Sequence, residues 1–148
     1  MELLALWSGL AADEEVPRRR DFTPQRLRKH LSSIAIYERL TDERGGERFR
    51  VRVMGASFCA ILGNLNGRYF DEAVPPQHLE RWMAAPRAAI EARAPLRFVS
   101  RSEIVDKEFI TGEYLLAPLI GDGEIADSVL AAGSFGPTAP ARPGDAAG

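Results

Sequence analysis

The hydrophobic pattern begins with a helical period at the N-terminus. Apolar residues recur there at spacings of three and four, which predicts an amphipathic helix over residues 2–12. Its narrow stripe consists of Leu3, Leu6, Trp7 and Leu10. A helix this short is marginal in isolation, so the stripe must rest on another surface. Two alternatives stay open: the helix packs on its own domain, or Leu3, Trp7 and Leu10 contact a second copy of the chain.

A polar connector at residues 17–21 precedes a second predicted helix. Thr23 can cap its first turn, and Pro24 suits the first helical position. Leu27 and Leu31 would share one face, and the helix is expected to end near residues 31–33. Residues 1–33 therefore form a predicted N-terminal helical extension.

From Ile34 the hydrophobic period changes to two, which predicts strands. Residues 34–37 and 49–53 flank a polar loop with paired glycines, a pattern typical of an antiparallel hairpin. Gly55 ends the second strand, and Gly63 closes a short apolar helix or turn at residues 57–62. Residues 64–68 predict a tight connection, because Asn and Gly tolerate positive φ angles.

Pro75-Pro76 introduces a longer predicted helix that extends through Ala92. Pro86 lies inside it without an amide hydrogen, so we expect this helix to kink or to split in two. Three further strands are predicted over residues 96–104, 110–119 and 125–135, joined by residues 105–109 and by a turn at residues 121–123. The glycine- and proline-rich run after Phe135 cannot bury apolar surface and predicts a flexible tail.

This order of elements predicts the fold class. Two groups of strands on either side of a helical segment favour an α+β domain with one antiparallel sheet and helices on one face. We divide the chain into the helical extension at residues 1–33, a core at residues 34–136 and a tail at residues 137–148.

Composition narrows the class of protein. The 148 residues are 45% hydrophobic and 27% charged, which suits one globular core. A formal net charge of -2 gives no bulk attraction to nucleic acid or anionic lipid. A single cysteine, Cys59, excludes an intramolecular disulfide and suits a reducing compartment. Because the chain shows neither a signal-peptide pattern nor a membrane-spanning apolar stretch, we expect a cytoplasmic protein without membrane contact.

Several short motifs resemble a known family in their order and spacing. They are Trp7, Pro17-Arg18-Arg19, Asp21, Pro24, Leu27 and Leu31 near the N-terminus; Arg48-Phe49-Arg50, Arg52, Gly55, Gly63, Leu65 and Gly67-Arg68 in the centre; and Pro118-Leu119 near the end. On these residues the chain resembles the bacterial family of small, mostly stand-alone PAS proteins common in alphaproteobacteria. Two positions differ from that family: Ala56 stands where Thr is usual, and the Gly63 to Gly67 segment is one residue shorter.

The resemblance implies a five-stranded antiparallel sheet around a helical segment. In PAS domains the cavity between them holds a small molecule, haem or flavin, or is filled by side chains. The candidate cavity set here is Phe58, Ile61, Leu62, Trp82, Phe98, Tyr114 and Leu116. The alternative is that these side chains only pack the core. The outer sheet face and the N-terminal helix of such domains mediate homodimers or contact a signalling partner.

Candidates for metal or cofactor chemistry are few. His30, His78 and Cys59 are too scattered in sequence for a zinc site. His78 stands where haem-binding PAS domains place an iron ligand, but its surroundings predict an exposed helix start, so we do not expect haem. A flavin adduct needs a cysteine in an asparagine-rich motif, which Phe58-Cys59-Ala60 lacks. The sequence names no other cofactor.

The densest charge feature is a basic run after the first helix. It comprises Arg18, Arg19 and Arg20, followed by Arg26, Arg28 and Lys29. We favour a solvated linker and helix face, with contact to an acidic partner or a phosphate backbone as the alternative. No helix-turn-helix or zinc-finger pattern predicts sequence-specific nucleic-acid binding.

Three functions follow as hypotheses. The leading one is a non-catalytic sensory or regulatory PAS-type protein that acts through dimerisation or a partner, with gating by a small ligand left open. The second is an enzyme that processes small molecules on a cone-shaped α+β fold, which would need paired Asp and His in a deep pocket. The third is a ligand-free interaction module with a filled core.

Overall fold

The strands predicted from the period of two assemble into one five-stranded sheet. The computed structural model describes residues 2–11, 16–102 and 110–137. Its strands are β1 (Ile34–Thr41), β2 (Glu47–Met54), β3 (Leu96–Ser102), β4 (Ile110–Ile120) and β5 (Ala126–Pro137). All neighbours are antiparallel in the order β2-β1-β5-β4-β3, so the N-terminal hairpin joins the C-terminal strands through β1 and β5. This confirms the predicted α+β class with one antiparallel sheet.

Helices cover both faces of this sheet. They are α1 (Glu2–Ala11), α2 (Ala56–Leu62), α3 (Phe70–Ala73) and α4 (Pro76–Ala92). On β5, Val129 and Ala131 pack in the cluster with α2, α3 and α4, whereas Leu130 and Ala132 pack in the cluster with α1. We call the first side the inner face and the second the outer face. The alternation along β5 follows from the two-residue period of a strand.

The outer face carries the N-terminal extension. Its buried cluster, named here the outer layer, contains Leu3, Trp7, Ala11, Phe22, Leu27, Ile34, Ile36, Ala117, Leu119, Leu130 and Ala132. The first helix is therefore confirmed in position and length to within one residue. Its apolar stripe rests on the sheet of its own chain, which supplies the burial that a short helix requires.

The prediction of a second helix is wrong. Residues 24–30 form hydrogen-bonded turns, with short 3₁₀ segments on either side at Arg19–Asp21 and Leu31–Ser33. Thr23 does cap this segment, since its Oγ1 accepts a 3.2 Å hydrogen bond from the amide of Arg26. However, Leu27 is buried whereas Leu31 is 44% exposed. A seven-residue segment with one anchored leucine lacks the second contact that would sustain a regular helix.

The prediction that Pro86 splits the long helix in two is also wrong, whereas the alternative, a kink at Pro86, stays a prediction. α4 runs unbroken from Pro76 to Ala92, with Pro86 buried inside it. The helix loses one backbone hydrogen bond at this proline. Burial of Met83, Ala89 and Ile90 against the sheet keeps the segment helical on both sides of the proline, because packing of this kind outweighs a single missing bond.

The connections follow the predicted glycine positions. Gly63 and Gly67 adopt positive φ angles of 82° and 77°, as the tight turns require. The short helix α3 was not predicted. Gly136 and Pro137 belong to β5 and not to the tail. The predicted connector at residues 105–109 and the rest of the predicted tail lie outside the described residues.

The free edge of β2 is covered by the segment that follows α2. The amide of Val51 donates to the carbonyl of Arg68 at 2.9 Å, and the amide of Gly67 donates to the carbonyl of Val51 at 2.7 Å. These bonds satisfy backbone groups that an edge strand would otherwise expose. No helix in the described part of the chain is long and apolar enough to cross a membrane.

Candidate functional site

Most of the predicted cavity residues meet on the inner face. Phe58, Leu62, Trp82, Phe98, Tyr114 and Leu116 belong to one apolar cluster between α2, α4 and the strands β3 and β4. Ile61 is half-buried and stands outside that cluster. Phe58 and Leu116 are buried, whereas the other four members retain partial exposure. Their role in binding a ligand stays a prediction.

Aromatic rings fill the part of the inner face beside β1 and β2. The Phe70 ring centroid lies 5.1 Å from that of Tyr37, 5.6 Å from that of Phe49 and 6.0 Å from that of Trp82. Such edge-to-face and stacked pairs stabilise the core beyond simple burial. Beside β3 and β4 the rings of Phe58 and Tyr114 pack with their centroids 6.3 Å apart.

The polar groups on this face include two neighbouring tyrosines. Burial raises the pKa of Tyr37 well above its usual value, and the proximity of Tyr114 raises it further. Tyr37 therefore stays protonated and neutral at physiological pH. A neutral hydroxyl in an apolar site suits uncharged or weakly polar molecules, because burying a charge there is costly.

Cys59 lies beside the same cluster, in the middle of α2. Its Sγ is 3.7 Å from the carbonyl oxygen of Met54 and 3.9 Å from both Asn64 Oδ1 and Asn66 Nδ2. The thiol is half-buried. In the sequence the neighbours of Cys59 are Phe58 and Ala60, whereas in the fold two asparagine side chains also contact its sulfur. The turn at residues 64–68 makes this contact, and no local motif marks it.

The two histidines stand apart from the inner cluster. His78 is exposed in the first turn of α4. His30 is half-buried in the turns before β1 and lines a cleft on the other side of the sheet. Among the described residues, no group of three or more His, Cys, Asp or Glu side chains is arranged to hold a metal ion.

The predicted interface residues pack mainly within the chain. Leu3 and Trp7 are 2% and 7% exposed against the outer face, and Leu10 is half-buried. The Trp7 Nε1–H donates a 2.8 Å hydrogen bond to the carbonyl oxygen of Pro118. Leu4, on the same helix, is exposed. A contact of α1 with a second copy stays a prediction.

A cleft of about 510 Å³ opens beside α1 on the outer face. It is lined by Leu3, Leu4 and Ser8 of α1, by His30 and Ser33, and by residues of β3, β4 and β5 that include Arg97, Glu113, Leu115 and Ala132. Arg97 and Glu113 form an exposed ion pair with a 2.7 Å separation. No local sequence pattern indicates this cleft, because segments far apart in the chain create it.

The basic run is only partly solvated. Arg18 Nη1 donates to the carbonyl of Gly123 at 3.0 Å, and Arg19 Nη2 pairs with Asp122 at 2.9 Å. Both bonds fasten the linker to the turn between β4 and β5. Arg20 is exposed. Arg19 also reaches Glu38 on β1, a contact that the linker sequence alone does not reveal.

The five-stranded antiparallel sheet, with helices on its inner face, is a fold of the PAS class. The chain belongs to the PAS domain family, which it matches over residues 1–133. Among solved structures it is similar to a sensory box histidine kinase/response regulator from Burkholderia thailandensis E264. The identity is 15% and the TM-score 0.41, with 76% of this chain and 84% of that chain covered. No curated protein matches the chain.

Proposed function

We propose that this PAS protein is non-catalytic and relays a signal from the inner face of its sheet to the N-terminal helix on the outer face. The input is a small ligand beside β3 and β4, and the output is a changed contact with a second copy or a signalling protein. The single observation that carries this proposal is that strand β4 contributes side chains to both faces of the sheet. Tyr114 and Leu116 belong to the inner cluster, whereas the neighbouring Ala117 and Leu119 belong to the outer layer.

Close packing makes such a strand able to couple the two faces. Pro118, which accepts the hydrogen bond from Trp7, lies only two residues from Leu116. Protein interiors contain few voids, so a ligand that displaces side chains on one face shifts their neighbours on the same strand. We therefore expect that a ligand bound on the inner face changes the packing of α1 on the outer face.

The outer face offers exposed apolar surface for the output. Leu4 of α1 is 36% exposed, and Val99 of β3 is 63% exposed. The cleft beside α1 adjoins Leu4. Exposed apolar side chains beside a cleft are typical of surfaces that bind another protein. Homodimerisation through α1 is our first expectation, with a separate signalling protein as the alternative partner.

The location of the histidines supports a role without catalysis. An enzyme of the alternative type would need a base beside its substrate pocket. His78 is exposed on α4 and His30 lies on the opposite side of the sheet from the inner cluster. The aromatic rings around Phe70 also support the third hypothesis, a ligand-free interaction module, because they pack together on the inner face beside β1 and β2.

Native mass spectrometry of the protein as purified tests the proposal, since it reports oligomeric state and bound ligand together. The two tryptophans give matched reporters: Trp82→Phe leaves only Trp7, in α1, and Trp7→Phe leaves only Trp82, on the inner face. A ligand of the inner face should raise the melting temperature by mass action and change the emission of both variants. Emission changes confined to Trp82 would refute the relay. A dimer with no bound mass and no ligand-dependent melting shift would favour the ligand-free module.

A further inference from the structure

A buried carboxylate on the outer face is shared by three arginines. The side chain of Glu38 on β1 is only 9% exposed. Arg50 Nε donates to Glu38 Oε1 at 2.8 Å, and Arg50 Nη2 contacts the same oxygen. Arg19 Nη1 and Arg52 Nη1 each lie 3.6 Å from Glu38 Oε2. We call Arg19, Arg50 and Arg52 around Glu38 the arginine cluster.

The positive charge of this cluster exceeds its negative charge where it meets solvent. Arg19 also pairs with Asp122 in the turn between β4 and β5. Arg50 and Arg52 have Glu38 as their carboxylate partner, and they share it with Arg19. The carboxylate is buried, whereas the side chains of Arg50 and Arg52 are 35% and 45% exposed. Three guanidinium groups thus have two carboxylate partners, Glu38 and Asp122, which leaves one positive charge in excess. The exposed side of the cluster therefore attracts a further anionic group.

The register of β2 places apolar side chains beside these arginines. Val53 pairs with Ile36, a member of the outer layer, and paired residues point to the same face of a sheet. Val53 is 41% exposed. Leu31, which is 44% exposed, belongs to the turn that packs against Gly55, since a Cβ on Gly55 would contact its carbonyl oxygen. Arginines flanked by exposed aliphatic side chains are typical of protein–protein contact surfaces.

Arg52 is the member best placed to bind a partner. It is the extra residue where the β1–β2 register shifts, because Ile36 pairs with Val53 and Tyr37 pairs with Val51. Its guanidinium is held by Glu38 only at 3.6 Å. It can therefore turn towards an incoming carboxylate, with which a guanidinium forms two parallel hydrogen bonds.

We propose that the outer face of β2, formed by Arg50, Arg52 and Val53, together with Leu31 of the turn that packs on Gly55, docks an acidic segment of a partner protein that also carries aliphatic side chains. The inference rests on the partner contact of the proposed function and names the chemistry of that partner. Charge complementarity favours an anion, and Val53 and Leu31 favour a polypeptide over a phosphate backbone. The net charge of -2 opposes long-range attraction to extended polyanions such as nucleic acid or anionic membranes.

Fluorescence anisotropy with a labelled synthetic peptide of alternating glutamate and leucine tests this surface on the full chain. We expect salt-sensitive binding that Arg52→Glu weakens by at least roughly tenfold, as loss of a charge-assisted hydrogen bond requires. Arg52→Gln should weaken binding less. Val53→Ser should weaken it by a few fold, since an exposed aliphatic contact is lost. Arg81→Glu on α4 makes the same charge change at an exposed site on the other side of the molecule and should leave binding unchanged.

Four outcomes would overturn the inference. They are no peptide binding, equal weakening by Arg81→Glu and Arg52→Glu, no effect of Val53→Ser, and equal Arg52-dependent binding of duplex DNA or of vesicles containing phosphatidylserine. Circular dichroism confirms that each variant is folded. Failure of peptide binding would leave the native mass and tryptophan-emission results of the proposed function intact. Conversely, a protein that binds the peptide but shows no relay would refute only the proposed function.

Discussion

The indole Nε1–H of Trp7 donates a 2.8 Å buried hydrogen bond to the carbonyl oxygen of Pro118, a residue 111 positions further along the chain. This bond joins the first helix to a strand whose other face carries the predicted ligand residues. α1 is therefore part of the folded domain. Changes at Trp7 should affect both the stability of the domain and the signal that we propose it transmits.

Two substitutions of Trp7 measure separately how much its hydrogen bond and its burial contribute to the free energy of unfolding. Trp7→Phe keeps an aromatic ring but leaves the Pro118 carbonyl without its donor, which should lower the free energy of unfolding by about 1–3 kcal/mol. Trp7→Ala also leaves a cavity in the outer layer and should cost about 3–5 kcal/mol. Urea unfolding measures both, with exposed Leu4→Ala as the control. Dissociation of a dimer by Trp7→Ala without loss of unfolding free energy would instead assign Trp7 to an intersubunit contact.

Gly55 should tolerate no side chain, because the backbone before β1 approaches it closely. A Cβ there would lie 2.6 Å from the carbonyl oxygen of Ser32 and also contact that of Leu31. Gly55→Ala should therefore destabilise the fold by about 1–3 kcal/mol. Gly9→Ala on α1 is the matched control, since no atom lies within 4 Å of its Cβ position. It should stabilise by roughly 0.5–1 kcal/mol, because alanine favours a helix. Thermal unfolding that ranks the two variants in the opposite order would contradict this account.

Glu38→Gln should destabilise the domain more than removal of a surface carboxylate. The substitution leaves the guanidinium groups of Arg19, Arg50 and Arg52 without their shared counter-charge. Partial exposure of Arg50 and Arg52 moderates the cost, which we expect to be about 2 kcal/mol. Glu113→Gln breaks an exposed pair with Arg97 and should cost less than about 1 kcal/mol. Equal unfolding free energies for the two variants would show that the arginine cluster is not a structural feature.

The stability of the fold should fall at alkaline pH through Tyr37. Burial raises the pKa of Tyr37 above its usual 10.0 in the folded chain, so this contribution is complete below that pH. Above it the unfolded chain loses a proton that the folded chain retains. The free energy of unfolding then falls by up to about 1.4 kcal/mol per pH unit. Tyr37→Phe removes this contribution, and guanidinium unfolding between about pH 8 and pH 11 measures the slope. A variant whose slope equals that of the wild type would refute the assignment.

Local sequence signals predicted the elements and failed where tertiary contacts override them. The alternation around Phe49 and Val51 and the stop at Gly55 defined β2 to within a few residues. The caps and leucines of residues 23–31 predicted a helix, yet only Leu27 found a buried site. Pro86 predicted a break, yet burial of Met83 and Ile90 on both sides preserves α4.

The residues of the candidate site also fall into those that the sequence predicts and those that only the fold reveals. The aromatic positions that meet on the inner face were predictable, because the period of each element shows which side chains are buried. The cleft beside α1 was not, since its members come from separate segments. Asn64 and Asn66 follow Cys59 by only five and seven residues, but the sequence pattern does not show that their turn folds back onto the sulfur. Arg50 and Arg52 were visible as part of a motif, but their shared carboxylate was not.

By itself, the sequence determined the α+β class, the five strands and the PAS family, because periodicity, glycine stops and motif spacing are local properties. Only the tertiary structure decided that α1 covers the outer face, that Trp7 forms a hydrogen bond with Pro118 and that Glu38 forms ion pairs with three arginines. Those contacts depend on strand order and register, which bring together residues up to 111 positions apart. No local pattern specifies such pairings, since each is set by the free energy of the whole assembled sheet.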